Sequence, residues 1–375
     1  MESGIVEYKY GTNSQIVTIY RPPMPTFTDI DRHLGAIPAE LATMLQQVDQ
    51  AQGRQAAFRL QHPQRLDALT QVARIQSTEA SNEIEGVTAP RARIVALVED
   101  TTTPQNRSEE EIAGYRAVLD RIHSTSPDAI PFTVSVVKQF HRGLYAFSAV
   151  PGGEFKIADN TMTETGPDGS ERVRFVPAPS WRTSEAMREL HDGLAVAFES
   201  HRYPPLLLAG SYVLDFTVIH PFSDGNGRMS RLLTLLLLYR TGYEVGRFIS
   251  LEKLIADTKD TYYEALHAST VGWHEGDHSV EPWLRYFLGV LIAAYRAFEA
   301  RVGAVGGRGS KTEAVRNFVR SSPSDEFTLD DIRIACPGVS DDLIRKVLRD
   351  LRDEGAVEAP TRGRSARYRR VRTDL

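Results

Sequence analysis

The sequence predicts a mainly helical chain with one short β-hairpin and a small separate C-terminal unit. Three observations carry that expectation. Apolar residues recur at helical spacing through most of residues 38–100 and 109–300. One stretch alternates as strands do, between Glu154 and Val176. A glycine-rich segment, residues 303–310, then separates the long helical part from a tail that ends in arginines.

Residues 1–30 read as extended, with Val17-Thr18-Ile19-Tyr20 followed by Arg21-Pro22-Pro23-Met24-Pro25. From Arg65 to Ala80, Leu66, Leu69, Val72, Ala73 and Ile75 mark a helix, and Ser81 to Gly86 closes that block. Helices resume at Glu109–Ser124 and Thr133–Tyr145. The hairpin is expected to run from Glu154-Phe155-Lys156-Ile157, through a turn at Gly166–Ser170, and back along Arg172–Val176 to Pro177 and Pro179. Helices then continue from Ser184 to about Ala300. Beyond the linker, a helix covers Thr312–Ser321, Phe327-Thr328-Leu329 caps a second, and Ser340 caps a third whose Leu343, Val347, Leu348 and Leu351 share a face. Gly355 stops it, and Arg362–Arg372 alternates like a basic hairpin.

Composition narrows the function classes. The chain has 375 residues, 41% of them hydrophobic, enough for two or three domains. A net charge of −5 argues against a polyanion binder as a whole. The single cysteine, Cys336, allows no internal disulfide and fits a reducing compartment. No basic-then-apolar leader opens the sequence, and its longest apolar run, Leu232–Tyr239, is far short of the roughly 20 residues of a membrane span. A soluble, cytoplasmic protein without membrane contact is the expectation.

The densest chemistry lies in His220-Pro221-Phe222-Ser223-Asp224-Gly225-Asn226-Gly227-Arg228-Met229-Ser230-Arg231. An apolar run, Leu206–Ile219, ends in the histidine, and a second apolar helix starts after the Gly-Asn-Gly turn. Two glycines let successive amides point inward as an anion-binding nest, and the next helix adds its N–H groups and positive dipole end. Arg228 and Arg231 are three apart, hence on one helix face, where they can clamp phosphate oxygens. Asp224 is a hard oxygen ligand suited to Mg²⁺. His220 has the ordinary pKa of a general base. A plain turn between core helices has no use for all of these together.

The string resembles the HPFx(D/E)GNGRxxR signature of Fic proteins at every defined position. That resemblance implies a Fic-type helical core over residues 106–302, a hairpin flap, and a preceding region, 1–105, that is mostly helical. It implies an ATP-dependent transferase that moves AMP to a Ser, Thr or Tyr hydroxyl of a target protein, its own chain included. His220 would deprotonate the hydroxyl, which attacks the α-phosphate. Asp224 would hold Mg²⁺. The backbone of Gly225, Asn226 and Gly227 and the Asn226 side chain would cradle phosphate, with Met229 and Ser230 in the same ATP-binding stretch. Arg228 and Arg231 would hold the outer phosphates. Phe222 would pack beneath the loop and fix His220.

A second element, Ser81-Asn82-Glu83-Ile84-Glu85-Gly86, matches the (S/T)xxxE(G/N) inhibitory motif of Fic proteins. Ser81 and Glu85 share a helix face, and the resemblance implies that Glu85 pairs with Arg231 and blocks the γ-phosphate. It also places Tyr263, in Tyr262-Tyr263-Glu264-Ala265-Leu266, beside the nucleotide base, with core packing as its other reading. The hairpin would be the flap whose strand edge takes up a target segment. The target is not named by the sequence, and a homodimer stays open.

Other signals carry less. His274-Glu275-Gly276-Asp277-His278 fits the HExxH zinc string, but Gly276 and Asp277 are poor helix formers and the segment reads as a loop. No Gly-x-x-x-x-Gly-Lys-Ser/Thr loop exists. Fic relatives also move UMP, phosphate or phosphocholine. The phosphate-transferring Doc-like type carries a larger residue at the second glycine of the turn, so Gly227 favours AMP. A third reading is a DNA-binding regulator with a Fic sensor core. Residues 311–375 look like a winged helix with 14 basic and 12 acidic residues, and any DNA contact would use Arg362, Arg364, Arg367, Arg369, Arg370 and Arg372.

Overall fold

Polar caps and apolar stripes set the helix boundaries. The computed structural model describes residues 26–61, 66–165, 171–306, 311–321, 325–336, 339–359 and 367–371. A 3-10 turn at Thr26–Asp29 leads into α1 (Ile30–Leu34), where the Asp29 carboxylate accepts from the Arg32 N–H. This part of the segment expected to be extended is helical instead, and the Val17–Tyr20 stretch lies outside the described residues. Then come α2 (Ala39–Gln61), α3 (Asp67–Ile84), α4 (Arg91–Val98), α5 (Arg107–Ser124, capped by Asn106) and α6 (Val134–Leu144, capped by Thr133).

The hairpin differs from expectation. Its strands are β1 (Met162–Thr165) and β2 (Glu171–Phe175), antiparallel with Thr163 opposite Val173 and Thr165 opposite Glu171. Residues 154–157 form no strand. Phe155 packs on Phe222 and Lys156 bonds the Ile219 and Pro221 carbonyls, while Ile157 is exposed, so burial does not follow the apolar alternation of the sequence. The expected turn, 166–170, lies outside the described residues.

Next are α7 (Ser180–Ser200), α8 (Pro205–Ile219), α9 (Asn226–Arg240), α10 (Leu251–Asp257), α11 (Lys259–Thr270) and α12 (Glu281–Gly306). In α8 every position except Pro205 and Thr217 is buried, and α9 is nearly as enclosed. A helix apolar on all sides belongs at the centre of a domain, and these two form it. Around them, α12 packs on α2, α8, α10 and α11, while α3 packs on α4, α5, α9 and α10. Ser81–Ile84 are therefore the last turn of α3, with Glu85 as its C-cap, packed against α9. Among the described residues no helix is long and apolar enough to cross a membrane.

α12 continues to Gly306, past the expected linker start at 303, and residues 307–310 lie outside the described set. The C-terminal unit comprises α13 (Lys311–Ser321), β3 (Glu326–Thr328), α14 (Leu329–Ala335), α15 (Asp341–Asp353), β4 (Val357–Glu358) and β5 (Arg367–Arg370). It has its own core of Val315, Val319, Ile332, Ile344, Val347, Leu348 and Leu351. Thr328 and Asp331 form a capping box at α14. Ser340 stands at the N-cap of α15, yet its side chain makes no cap bond. The basic segment is not a hairpin in itself: β5 returns between β3 and β4, antiparallel to both. Arg369 pairs with Glu326 and Arg370 with Asp325, at 2.6 and 2.5 Å, while Arg362, Arg364 and Arg372 lie outside the described residues. The unit rests on the main domain through α13 on α12 and α14 on α3, with Arg91 and Asp331 paired at 3.1 Å.

Candidate active site at the carboxyl end of α8

α8 stops because His220 adopts a left-handed backbone, φ 50° and ψ 61°. Its N–H still donates to the Phe216 carbonyl, at 3.0 Å. The chain then turns through Pro221–Asp224 to Gly225, also left-handed at φ 76°, where a glycine is at no disadvantage. Asn226 pins this turn. Its Oδ1 accepts from the Phe222 N–H at 2.9 Å and its Nδ2 donates to the Phe222 carbonyl at 2.7 Å. The side chain expected to cradle phosphate is thus committed at both ends to shaping the loop. Phe222 is fully buried and stacks on His141, not His220, with ring centroids 3.7 Å apart and planes 4° off parallel.

His141 locks the loop from α6. Its Nδ1 accepts from the Gly153 N–H at 2.8 Å, so Nε2 carries the proton and donates to the Asp224 carbonyl at 3.0 Å. Burial holds this imidazole down at about 4. The exposed Asp224 accepts from the Gly225 N–H through Oδ1, at 2.7 Å.

His220 lies at the head of the turn that leads into α9. Its only described acceptor is the Thr217 carbonyl, 3.3 Å from Nδ1. A carbonyl cannot donate, so the proton sits on Nδ1 and the lone pair on Nε2, the tautomer a general base needs. Burial, with the Lys156 cation beside it, holds the ring down to about 4, hence neutral at pH 7. The first turn of α9 points its amide N–H groups out of the helix end nearby.

The two arginines do not share one environment. Arg231, 4% exposed at its side chain, donates through Nε to Ser81 Oγ and through Nη2 to the Ser81 carbonyl and to Glu85 Oε1, each at 2.8 Å. Glu85 sits just past the last turn of α3 as its C-cap. The carboxylate presses on Gly227, where an added Cβ would lie 2.1 Å from Oε1. Arg228 is buried in a pair with Glu111 of α5 at 2.8 Å, with Tyr145 and Asn82 as weaker partners. As placed, Arg228 anchors α9 to α5 and reaches Asn82 only at 3.5 Å, while Arg231 bonds Ser81 and Glu85. The helix turns 100° per residue, so positions three apart diverge enough to face α5 and α3 separately.

The remaining expected residues divide. The Met229 side chain is fully buried in the core. Ser230 Oγ donates back to the Gly227 carbonyl at 2.8 Å. Neither side chain is presented to the loop. Tyr263 is partly buried against the core, and it is the neighbouring Tyr262 that lines, with Arg231, Val213 and Trp283, a small cavity beneath α9. Sequence reasoning missed Glu111, His141 and Lys156. All three lie in segments named for secondary structure, and only the segment of Lys156 was tied to the site, as the expected flap. In the HExxH string the two imidazoles have separate partners: His278 is buried against Thr26 Oγ1 at 3.0 Å, and His274 bonds the Val176 carbonyl. Among the described residues no group of three or more His, Cys, Asp or Glu could hold a metal.

A helical domain that breaks its central helix pair at a histidine, then restarts it through a Gly-Asn-Gly turn, belongs to the Fic fold class. Residues 131–238 match the model of the Fic/DOC family, and the chain carries a Fic domain. It is 28% identical over 221 residues to a protein named protein adenylyltransferase Fic from Aedes aegypti, and 29% identical over 219 residues to one of that name from Culex quinquefasciatus. Each match covers 57% of this chain and 39% of the relative, so the chain spans about two fifths of the length of those relatives. A solved Fic family protein from Desulfovibrio desulfuricans G20 overlays with a TM-score of 0.59 at 21% identity, covering 94% of this chain and 98% of that one. A Fic domain containing signaling protein from Bacteroides thetaiotaomicron gives 0.57 at 22% identity, over 67% and 94%.

Proposed function

We propose that the chain transfers AMP from ATP to a hydroxyl side chain of a protein, itself included, and that Glu85 restrains it. The observation that carries this reading is His220 with its lone pair on Nε2, set beside the N-terminus of α9. Nε2 takes the proton of the target hydroxyl. The oxygen forms a bond to the α-phosphorus, the bond to the bridging oxygen breaks, and pyrophosphate leaves. The α9 amides receive the negative oxygens. Arg231 would meet the terminal phosphate once Glu85 gives way.

Asp224, exposed at the loop while Glu85 and Glu111 are paired with Arg231 and Arg228, fits a Mg²⁺ ion that keeps waters and phosphate oxygens as its other ligands. Such an ion would neutralise phosphate charge. Gly227 favours AMP over phosphate as the moving group. We assign residues 311–375 as a winged-helix-like module. Its Arg369 and Arg370 pair with its own acids, so the DNA-contact reading gains no support, and a target protein remains the proposed partner.

The test is parallel incubation with α-labelled and γ-labelled ATP of the parent, Glu85→Gly and His220→Asn. Label should enter protein from the α position only, and none should enter His220→Asn. Label arriving from the γ position alone would replace this reading with phosphotransfer.

A further inference from the structure

We propose that Lys156 is a positioning residue for His220, clamping the carboxyl end of α8 from the segment that leads into the hairpin. The inference rests on the reading of His220 as the base.

Residues 154–157 lie across the His220 turn. The Lys156 N–H donates to the Pro221 carbonyl at 2.9 Å. Its Nζ donates to the Ile219 carbonyl at 3.2 Å and to Asn160 Oδ1 at 3.0 Å. Phe155 packs on Phe222 with centroids 5.4 Å apart. Lys156 is only 4% exposed. A buried ammonium is costly unless its bonds are satisfied, so a solvated surface lysine would be the default here.

What the ammonium finds is a helix end in need of a cation. The carboxyl terminus of a helix gathers partial negative charge, and α8 has no basic residue in its own last turn. Lys156 supplies that cation from outside the helix. The carbonyl it holds belongs to the peptide that joins Ile219 to His220. Fixing that peptide plane fixes the starting point of the left-handed turn. A non-glycine residue there is strained by about 1–2 kcal/mol and persists only where its surroundings enforce it. Among the described residues the imidazole itself has only the long 3.3 Å bond to Thr217, so ring placement depends on the backbone that carries it.

The experiment uses the full chain carrying Glu85→Gly, with Lys156→Met and Lys156→Arg added separately. Three readings are taken: the rate of α-label transfer at saturating ATP, the Kd of a fluorescent ATP analogue, and the ¹H–¹⁵N amide spectrum. Lys156→Met should lower kcat roughly ten- to hundredfold while the analogue Kd stays within about twofold, and Lys156→Arg should recover most of the loss. The His220 and Phe222 amides should move in Lys156→Met while those of α3 stay in place. If Lys156→Met melts below the assay temperature, Asn160→Ala, which removes one Nζ acceptor, is judged by the same readings. Unchanged kcat, or a Kd that weakens as much as kcat falls, overturns the proposal, as do unmoved loop amides. Transfer that is absent even from the Glu85→Gly parent would sink the base reading instead, and the amide spectrum would still decide the clamp.

Discussion

Glu85 Oε1 occupies the place a β-carbon at residue 227 would take, and it bonds the guanidinium that a terminal phosphate would need. Releasing a charged hydrogen bond of about 1.5–3 kcal/mol corresponds to roughly a ten- to hundredfold rate gain. Glu85→Gly should therefore raise α-label transfer by that factor, and Glu85→Gln, which keeps the bulk, should raise it less. A rate equal to the parent's in both variants would refute the restraint. Gly227 gives a second check that needs no turnover. With Glu85 present, Gly227→Ala must expel the carboxylate and should cost about 1–3 kcal/mol of stability. With Glu85→Gly already made, the same change only replaces glycine in a helix and should stabilise by about 0.5–1 kcal/mol. Denaturant midpoints of the four proteins in that cycle test the reversal of sign.

At the scale of elements, α3 matters most, since its last turn delivers Ser81 and Glu85. It is tied down from behind: Ser77 Oγ donates to Glu252 Oε2 at 2.7 Å, and Tyr115 of α5 donates to Glu252 Oε1 at 3.0 Å. Glu252→Ala removes the charged acceptor that Ser77 and Tyr115 share in a buried site, leaving Ser77 its bond to Ser250 Oγ at 3.0 Å, and costs about 1–3 kcal/mol. Hydrogen exchange should quicken along α3 while α8 stays protected, and transfer should rise as Arg231 is freed. Equal protection in α3 would show that Glu252 does not hold it. The sequence made α3 legible through Leu69, Val72, Ala73 and Ile75, and made the His220 turn legible because its chemistry is contiguous. What it hid were partnerships between distant elements. Glu111 does not differ in spacing from Glu109 and Glu110, yet it alone meets Arg228. The alternation of Glu154–Ile157 imitates a strand by composition alone, since Lys156 is the buried residue and Ile157 is exposed.

For the whole molecule, acid lability follows from its buried histidines. Burial holds His123 and His278 down at about 3, and His141 and His220 at about 4. Each folded value lies below the ordinary 6.5, so the unfolded chain takes up these protons first and stability falls as pH drops below about 6.5. Asp215 acts in the opposite sense. Burial lifts it to about 7, so the folded chain keeps a proton the unfolded chain loses, and stability falls as pH rises from about 4 to 7. His33 and His191 are also held low by burial and act with these four, while Glu79, lifted by burial, acts with Asp215. Six histidines against two acids leave a net loss on acidification, each group acting at no more than roughly 1.4 kcal/mol per pH unit. Urea midpoints should fall from pH 7.5 to 5.5, and His123→Gln should make that dependence shallower. A midpoint flat across this range would contradict the burial of these rings.

The left-handed backbone at residue 220 also decides which side chains could ever serve there. Few L-residues tolerate positive φ, and those enriched at it are asparagine, aspartate and histidine, with glycine unrestricted. Of that short repertoire only histidine and aspartate can accept a proton, and an aspartate would set another negative charge against a triphosphate. The turn that ends α8 thus filters the amino-acid alphabet before any chemistry is selected, and the one letter that passes both sieves is the one present.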